Sequence, residues 1–269
     1  MAPDIRVITT TTADLHETDK PTNQINKRES QLLFGEAFAV ASTSGAYVYG
    51  QALHDGYSGY IHEQNLSPKE EDPTHIIDAP LTHLYPEPGF KYRPIRELSF
   101  LSRITANKEN IQNGFIEVPG HGWVFQTHTT PLTNMPPRNI TETALQFLNV
   151  PYRYAGRSML GIDCSGLVQL SLMRAGLTCP RDSDQQASIG DPVDITAPQR
   201  GDLVFFEGHV GIMVDEKNIL NATSRTQDVR IESLEKLEEI YNGITATRRP
   251  NPPKENLTLQ GLGEPAPHP

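Results

Sequence analysis

Two rhythms of hydrophobic and polar positions run along the chain, and they change over near residue 139. Up to about residue 133 the apolar positions come in short runs, at 37–40, 46–49, 60–61, 114–118 and 122–124. Each run is rich in β-branched or aromatic residues and is bounded by Gly, Pro, Asp or Ser. Such runs read as short strands between turns, and strands repeated in this way predict small β-barrels. Two stretches share a plan. Each opens on an extended segment (7–15 and 75–85), crosses a polar or proline-bearing loop, and continues into short strands. The first closes on Gly56-Tyr57-Ser58-Gly59-Tyr60 and the second on Gly120-His121-Gly122-Trp123-Val124. This internal duplication predicts one barrel over 5–68 and a second over 74–133, with Trp123 in the second core. The acidic, proline-bearing segment 67–73 is expected to be the hinge between them, and 134–138 a second linker.

Beyond that linker the period becomes helical. Asn139 and Glu142 have capping-box spacing, ahead of Ala144, Leu145 and Leu148 on one expected helical face. A longer helix is expected from Cys164, with Leu167, Val168, Leu172 and Ala175 as its buried stripe and Gly176 as its stop. After Pro198 strands are expected at 202–206, 209–214, 218–222, 229–231 and 244–247, with a short helix over 233–241. Helices followed by a sheet make 139–248 an α+β domain. The proline-rich tail 249–269 is expected to be poorly ordered or laid along the surface.

Composition narrows the function classes. Of the 269 residues, 36% are hydrophobic and 21% charged, the profile of an ordinary globular protein. The 22 prolines suit turns, sheet edges and linkers better than helix interiors. A net charge of −10 repels polyanions, so nucleic acid is not an expected partner. The N-terminus has no basic start followed by an apolar stretch, and no run approaches the roughly 18 to 20 apolar residues of a membrane span. The expectation is a cytoplasmic monomer without membrane contacts. Cys164 and Cys179 lack zinc-site spacing and are too few for a disulfide scaffold. One functional and one packed thiol in a reducing compartment is the natural reading, with no metal or organic cofactor.

Gly161-Ile162-Asp163-Cys164-Ser165-Gly166 sets a cysteine at a helix start, where unpaired N–H groups favour the nucleophilic thiolate. The alternative is a buried structural cysteine. A nucleophilic thiol also needs a base, and His209, directly after Gly208 at the start of a strand, can accept its proton. With 215–217 as a three-residue loop, position 211 pairs with 221. Asn221 then faces the same way as His209 and can orient the imidazole.

Five segments then appear in a recognisable order. They are Pro151-Tyr152-Arg153-Tyr154-Ala155-Gly156, Gly161 to Val168, Pro180-Arg181-Asp182-Ser183, Pro198 to Phe206, and His209-Val210-Gly211-Ile212. Over about 139–248 the chain resembles the NlpC-type cell-wall cysteine peptidases. That resemblance implies a papain-like α+β core with Cys164 as nucleophile and His209 as base. The third position of the family is most often His, so Asn221 is a departure. Tyr152 resembles the family tyrosine that lines the cleft or supports the oxyanion.

The N-terminal half resembles the bacterial SH3 barrels that precede this domain in some members. Gln31-Leu32-Leu33-Phe34-Gly35-Glu36 and Asp55-Gly56-Tyr57-Ser58-Gly59-Tyr60 resemble the subgroup that releases L-Ala-γ-D-Glu from free wall peptides. By that resemblance Glu36 and Tyr57, together with Asp163, Ser165 and Ser183, bind the substrate's free amine. Carboxylates and hydroxyls are the acceptors an ammonium needs. Each residue also has a plainer role: a solvated strand position for Glu36, core packing for Tyr57 and Tyr152, capping for Asp163 and Ser165, and a turn for Ser183. The resemblance implies two SH3-like barrels and a papain-like peptidase that cuts the γ-D-glutamyl–diamino acid bond of peptidoglycan-derived peptides. A broader endopeptidase on intact wall and an inactive wall-binding module are the alternatives.

Overall fold

Along Thr12–His16 alternate residues, Ala13 and Leu15, are buried, as the two-residue period of a half-buried strand requires. The computed structural model describes residues 3–20, 28–133 and 135–254. Asn134 of the expected linker and the expected tail beyond residue 254 lie outside these. The described residues form two compact units that part between Met135 and Pro136. Among them no helix is long and apolar enough to cross a membrane.

The first unit contains two β lobes. In the first lobe seven strands lie in the order Arg28–Leu33, Thr12–His16, Ser58–His62, Tyr47–Ala52, Ala37–Ser44, Asp4–Ile8 and Leu66–Pro68. Ile8, Ala13, Leu15, Leu32, Phe38, Val48, Ala52 and Ile61 form its core. The second lobe has a five-stranded sheet, in the order Arg96–Ser99, Leu81–Tyr85, Gly122–Phe125, Phe115–Val118 and Asn107–Gln112. Arg103–Ile104, His75–Ile77 and Thr129–Pro131 form a three-stranded sheet beside it.

The lobes share more than a hinge. Phe34, which follows the strand Arg28–Leu33, is buried in the second lobe's core with Ile77, Leu84, Leu98 and Val124. The next residue, Gly35, has φ +74°, and a Cβ there would run into the Arg103 carbonyl. Arg103 N donates to Phe34 O at 2.8 Å. The segment 67–73, expected to be the hinge, begins inside the first sheet. Leu66–Pro68 pairs with Asp4–Ile8, and Lys69 N donates to Ile5 O at 3.0 Å. The reason is that these bonds satisfy backbone groups which would otherwise be left at an open edge. Trp123 is only half-buried. Alternation along its strand points Val124 into the core instead.

In the second unit Asn139 caps α1 (Ile140–Leu145) by accepting from Glu142 N at 3.1 Å. This helix is shorter than expected. It stops before Leu148, which is exposed, and Phe147 in the following turn is the buried residue. The longer helix α2 (Cys164–Arg174) is buried on all sides from Ser165 to Arg174, not along one stripe. It packs against α1 and against the strands His209–Met213 and Asn218–Thr223. Its inward polar groups are matched: Gln169 Nε2 donates to Cys179 O at 3.1 Å, and Ser171 Oγ to Leu167 O at 2.7 Å. Gly176, at φ +86°, ends it.

The sheet of this unit has six strands, in the order Asp191–Pro192, Ala246–Arg249, Leu203–Phe206, His209–Met213, Asn218–Thr223 and Asp228–Ser233. Its last strand in sequence sits two residues later than the expected 244–247. Arg248 and Arg249 pair with Asp191–Pro192, a partner too short to stand out in the sequence. A four-residue helix, α3 (Ser183–Gln186), follows α2, and α4 (Leu234–Tyr241) packs against Asp228–Ser233.

Candidate active site

Cys164 is the first residue of α2, and Asp163 is its N-cap, accepting from Gly166 N through Oδ1 at 2.7 Å. As a whole residue Cys164 is half-buried, with its thiol turned inward. Backbone N–H groups of Val210 and Ser165 reach it, so the sulfur lies beside the start of the His209–Met213 strand. Burial, and then the Asp163 charge, push the thiol up to about 11, against the opposing pull of those N–H groups and of Arg181. This differs from the expectation that a helix start favours the thiolate. The residue that caps the helix also brings a carboxylate next to the sulfur, in a site with little water.

His209 opens its strand after Gly208, which turns the chain at φ +67°. The hairpin that follows pairs Ile212 with Leu220 and Met213 with Ile219. Continued by one residue, that register puts Asn221 opposite Gly211 and on the same face as His209, with Oδ1 3.0 Å from Nε2. An amide oxygen only accepts, so Nε2 carries the hydrogen and Nδ1 keeps its lone pair. Burial holds the imidazole down at about 4, although the Asn221 bond works the other way. On its flat face the ring stacks on Tyr241 of α4, with centroids 4.7 Å apart and planes within 9°. The Asn221 amide nitrogen turns away, toward Arg230 O at 3.4 Å and Glu232 Oε2 at 3.3 Å.

Around the thiol the structure gathers Asp163, Ser165 and Tyr152. Asp163 Oδ2 is ion-paired with Arg181 at 2.6 Å, and Arg181 also donates to Ser165 Oγ at 2.6 Å. Tyr152 is half-buried. Burial first, and then the charges of Cys164 and Asp163, push its phenol well above the usual range, so it stays a hydrogen-bond donor. Ser183 is the first residue of α3 and lines a cavity of about 450 Å³ with Phe205, Phe206, Gly208 and Thr245. Gln186 ties α3 to α2 by donating to Ser165 O at 3.0 Å.

Glu36 and Tyr57 belong to the first unit. Glu36 is buried in the turn before Ala37–Ser44, where its Oε2 accepts from Leu33 N at 2.8 Å. It is therefore not a solvated strand residue. Tyr57 is half-buried against the first lobe's core. Its hydroxyl donates to Glu29 Oε2 at 3.5 Å.

Three side chains of this site were not singled out in the sequence. Arg181 stood inside a quoted segment, but nothing in the sequence showed that its charge is buried. Glu232 gave no such signal either, because its place beside Asn221 follows from the pairing of Asn221 with Arg230, which no sequence pattern sets. Tyr241 carried no signal beyond its place in a short amphipathic helix.

The NlpC/P60 family matches residues 149–244, and the bacterial dipeptidyl-peptidase SH3 domain matches residues 23–66. A Bacillus subtilis (strain 168) protein named gamma-D-glutamyl-L-lysine dipeptidyl-peptidase is 30% identical over 250 residues, which cover 83% of this chain and 81% of that one. A Bacillus cereus (strain ATCC 10987 / NRS 248) protein of the same name is 28% identical over 235 residues, covering 77% and 70%. The crystal structure of an NlpC/P60 family protein from Bacillus cereus ATCC 10987 shares the fold with a TM-score of 0.79. It is 24% identical and covers 91% of this chain and 99% of that one. With SH3-like sheets ahead of an α+β domain that opens its main helix on a cysteine, this chain belongs to the NlpC/P60 family of cysteine peptidases.

Proposed function

We propose that the chain hydrolyses the γ-D-glutamyl–diamino acid bond of short peptidoglycan peptides with a free N-terminal L-Ala, releasing L-Ala-γ-D-Glu. The observation that carries this reading is the buried His209–Asn221 pair at the strand start beside the Cys164 thiol. The names of the Bacillus relatives supply the substrate class.

The two pKa directions favour a neutral resting pair, so proton transfer accompanies attack. His209 Nδ1 takes the thiol proton as Sγ bonds to the γ-glutamyl carbonyl carbon. The Cys164 N–H and the Tyr152 hydroxyl are the proposed donors to the developing oxyanion. As the C–N bond breaks, His209 returns the proton to the leaving amine. Water then cleaves the thioester with the same imidazole as base and restores the thiol. Asp163 is already paired with Arg181. It holds the first turn of α2 in place and keeps at most one lone-pair site for a substrate ammonium. Release of a dipeptide from free wall peptides suits a recycling role inside the cell.

The test is cleavage of L-Ala-γ-D-Glu-L-Lys, its meso-diaminopimelate counterpart and their N-acetylated twins, with Cys164→Ala as control. Cutting of only the free-amine peptides supports the reading. Cutting of all four leaves a broader endopeptidase, and cutting of none points to a wall-binding module.

A further inference from the structure

A carboxamide is a poor orienting group by itself, because its two ends are nearly the same size and differ only in hydrogen-bonding sense. In the orientation seen here Asn221 offers its oxygen to His209. Turned over, it would offer hydrogens to Nε2, and the imidazole would have to carry its proton on Nδ1. An Nδ1–H imidazole has no lone pair on that nitrogen for the thiol proton. Tyr241 does not select between the two states. A ring stacked on the face of the imidazole limits its tilt but is indifferent to which edge is protonated.

What does select is on the other side of Asn221. The strand Asn218–Thr223 pairs with Asp228–Ser233, Asn221 opposite Arg230, which brings the Glu232 side chain to the amide. Glu232 is buried, whereas Ile231 beside it is exposed, the reverse of the usual preference of the two residue types. Arg225 donates to Glu232 Oε2 at 2.5 Å, and Lys236 donates to Oε1 at 3.2 Å. Burial works to raise the Glu232 pKa, but the bonds from Arg225, Lys236 and Asn221 outweigh it and keep the group below its ordinary value. An ionised carboxylate has no hydrogen to give. The Arg230 carbonyl has none either, so both acceptors take hydrogens from the same end of the amide.

We infer that Glu232 is a positioning residue: by accepting from the Asn221 amide it keeps Asn221 Oδ1 on His209 and holds the imidazole in the Nε2–H tautomer. Its value to catalysis rests on the peptidase reading, because that reading makes His209 the base for Cys164. The tautomer itself does not depend on which peptide is cut. The arrangement matches a chain that carries Asn as its third residue. An aspartate at 221 would accept from His209 in either orientation and would need no such guide.

The experiment uses the full chain labelled with 15N-histidine. Nitrogen shifts are recorded at neutral pH, where His209 is uncharged, and His209 is assigned by the signals lost in His209→Gln. Cys164 alkylation by iodoacetamide is followed in parallel, located by peptide mass mapping. Wild type is expected to show the Nε2–H form. Glu232→Gln is expected to populate the Nδ1–H form and to slow alkylation about 10-fold, a fraction of what a positioned base contributes. Glu232→Asp, which keeps the charge, is expected to recover both. In an Asn221→Asp background Glu232→Gln is expected to leave the tautomer unchanged. An unchanged tautomer in Glu232→Gln would overturn the inference, as would an equal loss in Glu232→Asp or in the Asn221→Asp background. If Glu232→Gln fails to fold, Glu232→Asp and the double variant still decide. A tautomer that responds in this way while wild type cuts none of the wall peptides would sink the proposed function and leave this inference standing.

Discussion

The guanidinium of Arg181 lies 2.6 Å from the Asp163 carboxylate, and both side chains are almost fully buried. Breaking such a pair from one side leaves a buried charge without its counter-charge, which costs about 3 to 5 kcal/mol. Arg181→Met is therefore expected to lower the unfolding free energy by that amount in urea titrations. The same substitution removes a cation that eases ionisation of Cys164. The thiol titration, followed by its absorbance near the thiolate band, is expected to move to higher pH. Exchanging both residues for a packed apolar pair would restore much of the stability and, because the Asp163 charge goes as well, would bring the thiol titration back down.

Resting protonation gives the second prediction. The thiol is held up to about 11 and the imidazole down to about 4, so at neutral pH neither is charged. An ion pair would give iodoacetamide reactivity that levels off in the acid range. A neutral pair instead predicts reactivity that climbs through the alkaline range toward the thiol pKa. His209→Gln is expected to slow alkylation at pH 7 and to leave the rate near pH 11 unchanged, because free thiolate no longer needs a base.

The third prediction concerns stability in acid. His209 and, in the other unit, His75 are each lowered from 6.5 to about 4, chiefly by burial. Below pH 6.5 the unfolded chain takes up protons at these sites and the folded chain does not. Stability is therefore full above pH 6.5, falls as the pH drops toward 4, and has no more to lose from these groups below that. For His209 the displacement corresponds to about 3 kcal/mol. Urea unfolding at pH 7 and pH 4.5 checks it, and His75→Gln or His209→Gln should each flatten the slope.

Glu36 supplies a fourth. Its Oε2 holds the Leu33 N–H, a buried donor. Glu36→Gln retains an oxygen for that N–H and is expected to stay within about 1 kcal/mol of wild type, whereas Glu36→Leu strands the donor and costs about 2 kcal/mol. If Glu36 also reads the substrate amine, Glu36→Gln raises KM for the free-amine peptide with little change in melting temperature. A KM that follows the melting temperature across both variants would assign the residue to the fold alone.

The contrast between Cys164 and Glu232 shows how much could be read from the sequence. Cys164 announces itself locally: a cap residue, a small-residue neighbourhood and an apolar helix all lie within a dozen positions of it. His209 and Asn221 follow from one hairpin whose loop length sets the register. Glu232 and Arg181 do not show themselves in this way, because their burial depends on partners from other elements that no periodicity encodes. Two-residue alternation does not find Glu232 either, since Ile231 is exposed although it shares a face with the buried Val229. The expected stripe on α2 failed differently. A helix covered on every side has no polar face to reveal its orientation. The helix α1 is shorter than its pattern predicts, because Leu148 fits the helical spacing although Phe147 in the turn is the residue that reaches the core.

The insertion of Phe34 into the neighbouring lobe has a consequence for how the β half is built and inherited. Each lobe has its own sheets, yet the second lobe's interior is completed by a ring from the first, delivered by a turn that tolerates nothing larger than glycine at position 35. A fragment covering the second lobe alone would lack a piece of its own core. A fragment covering the first lobe alone would leave a phenylalanine in water. Cutting between the copies would not recover a self-sufficient unit: with Phe34 shared, the two lobes are expected to unfold as one body.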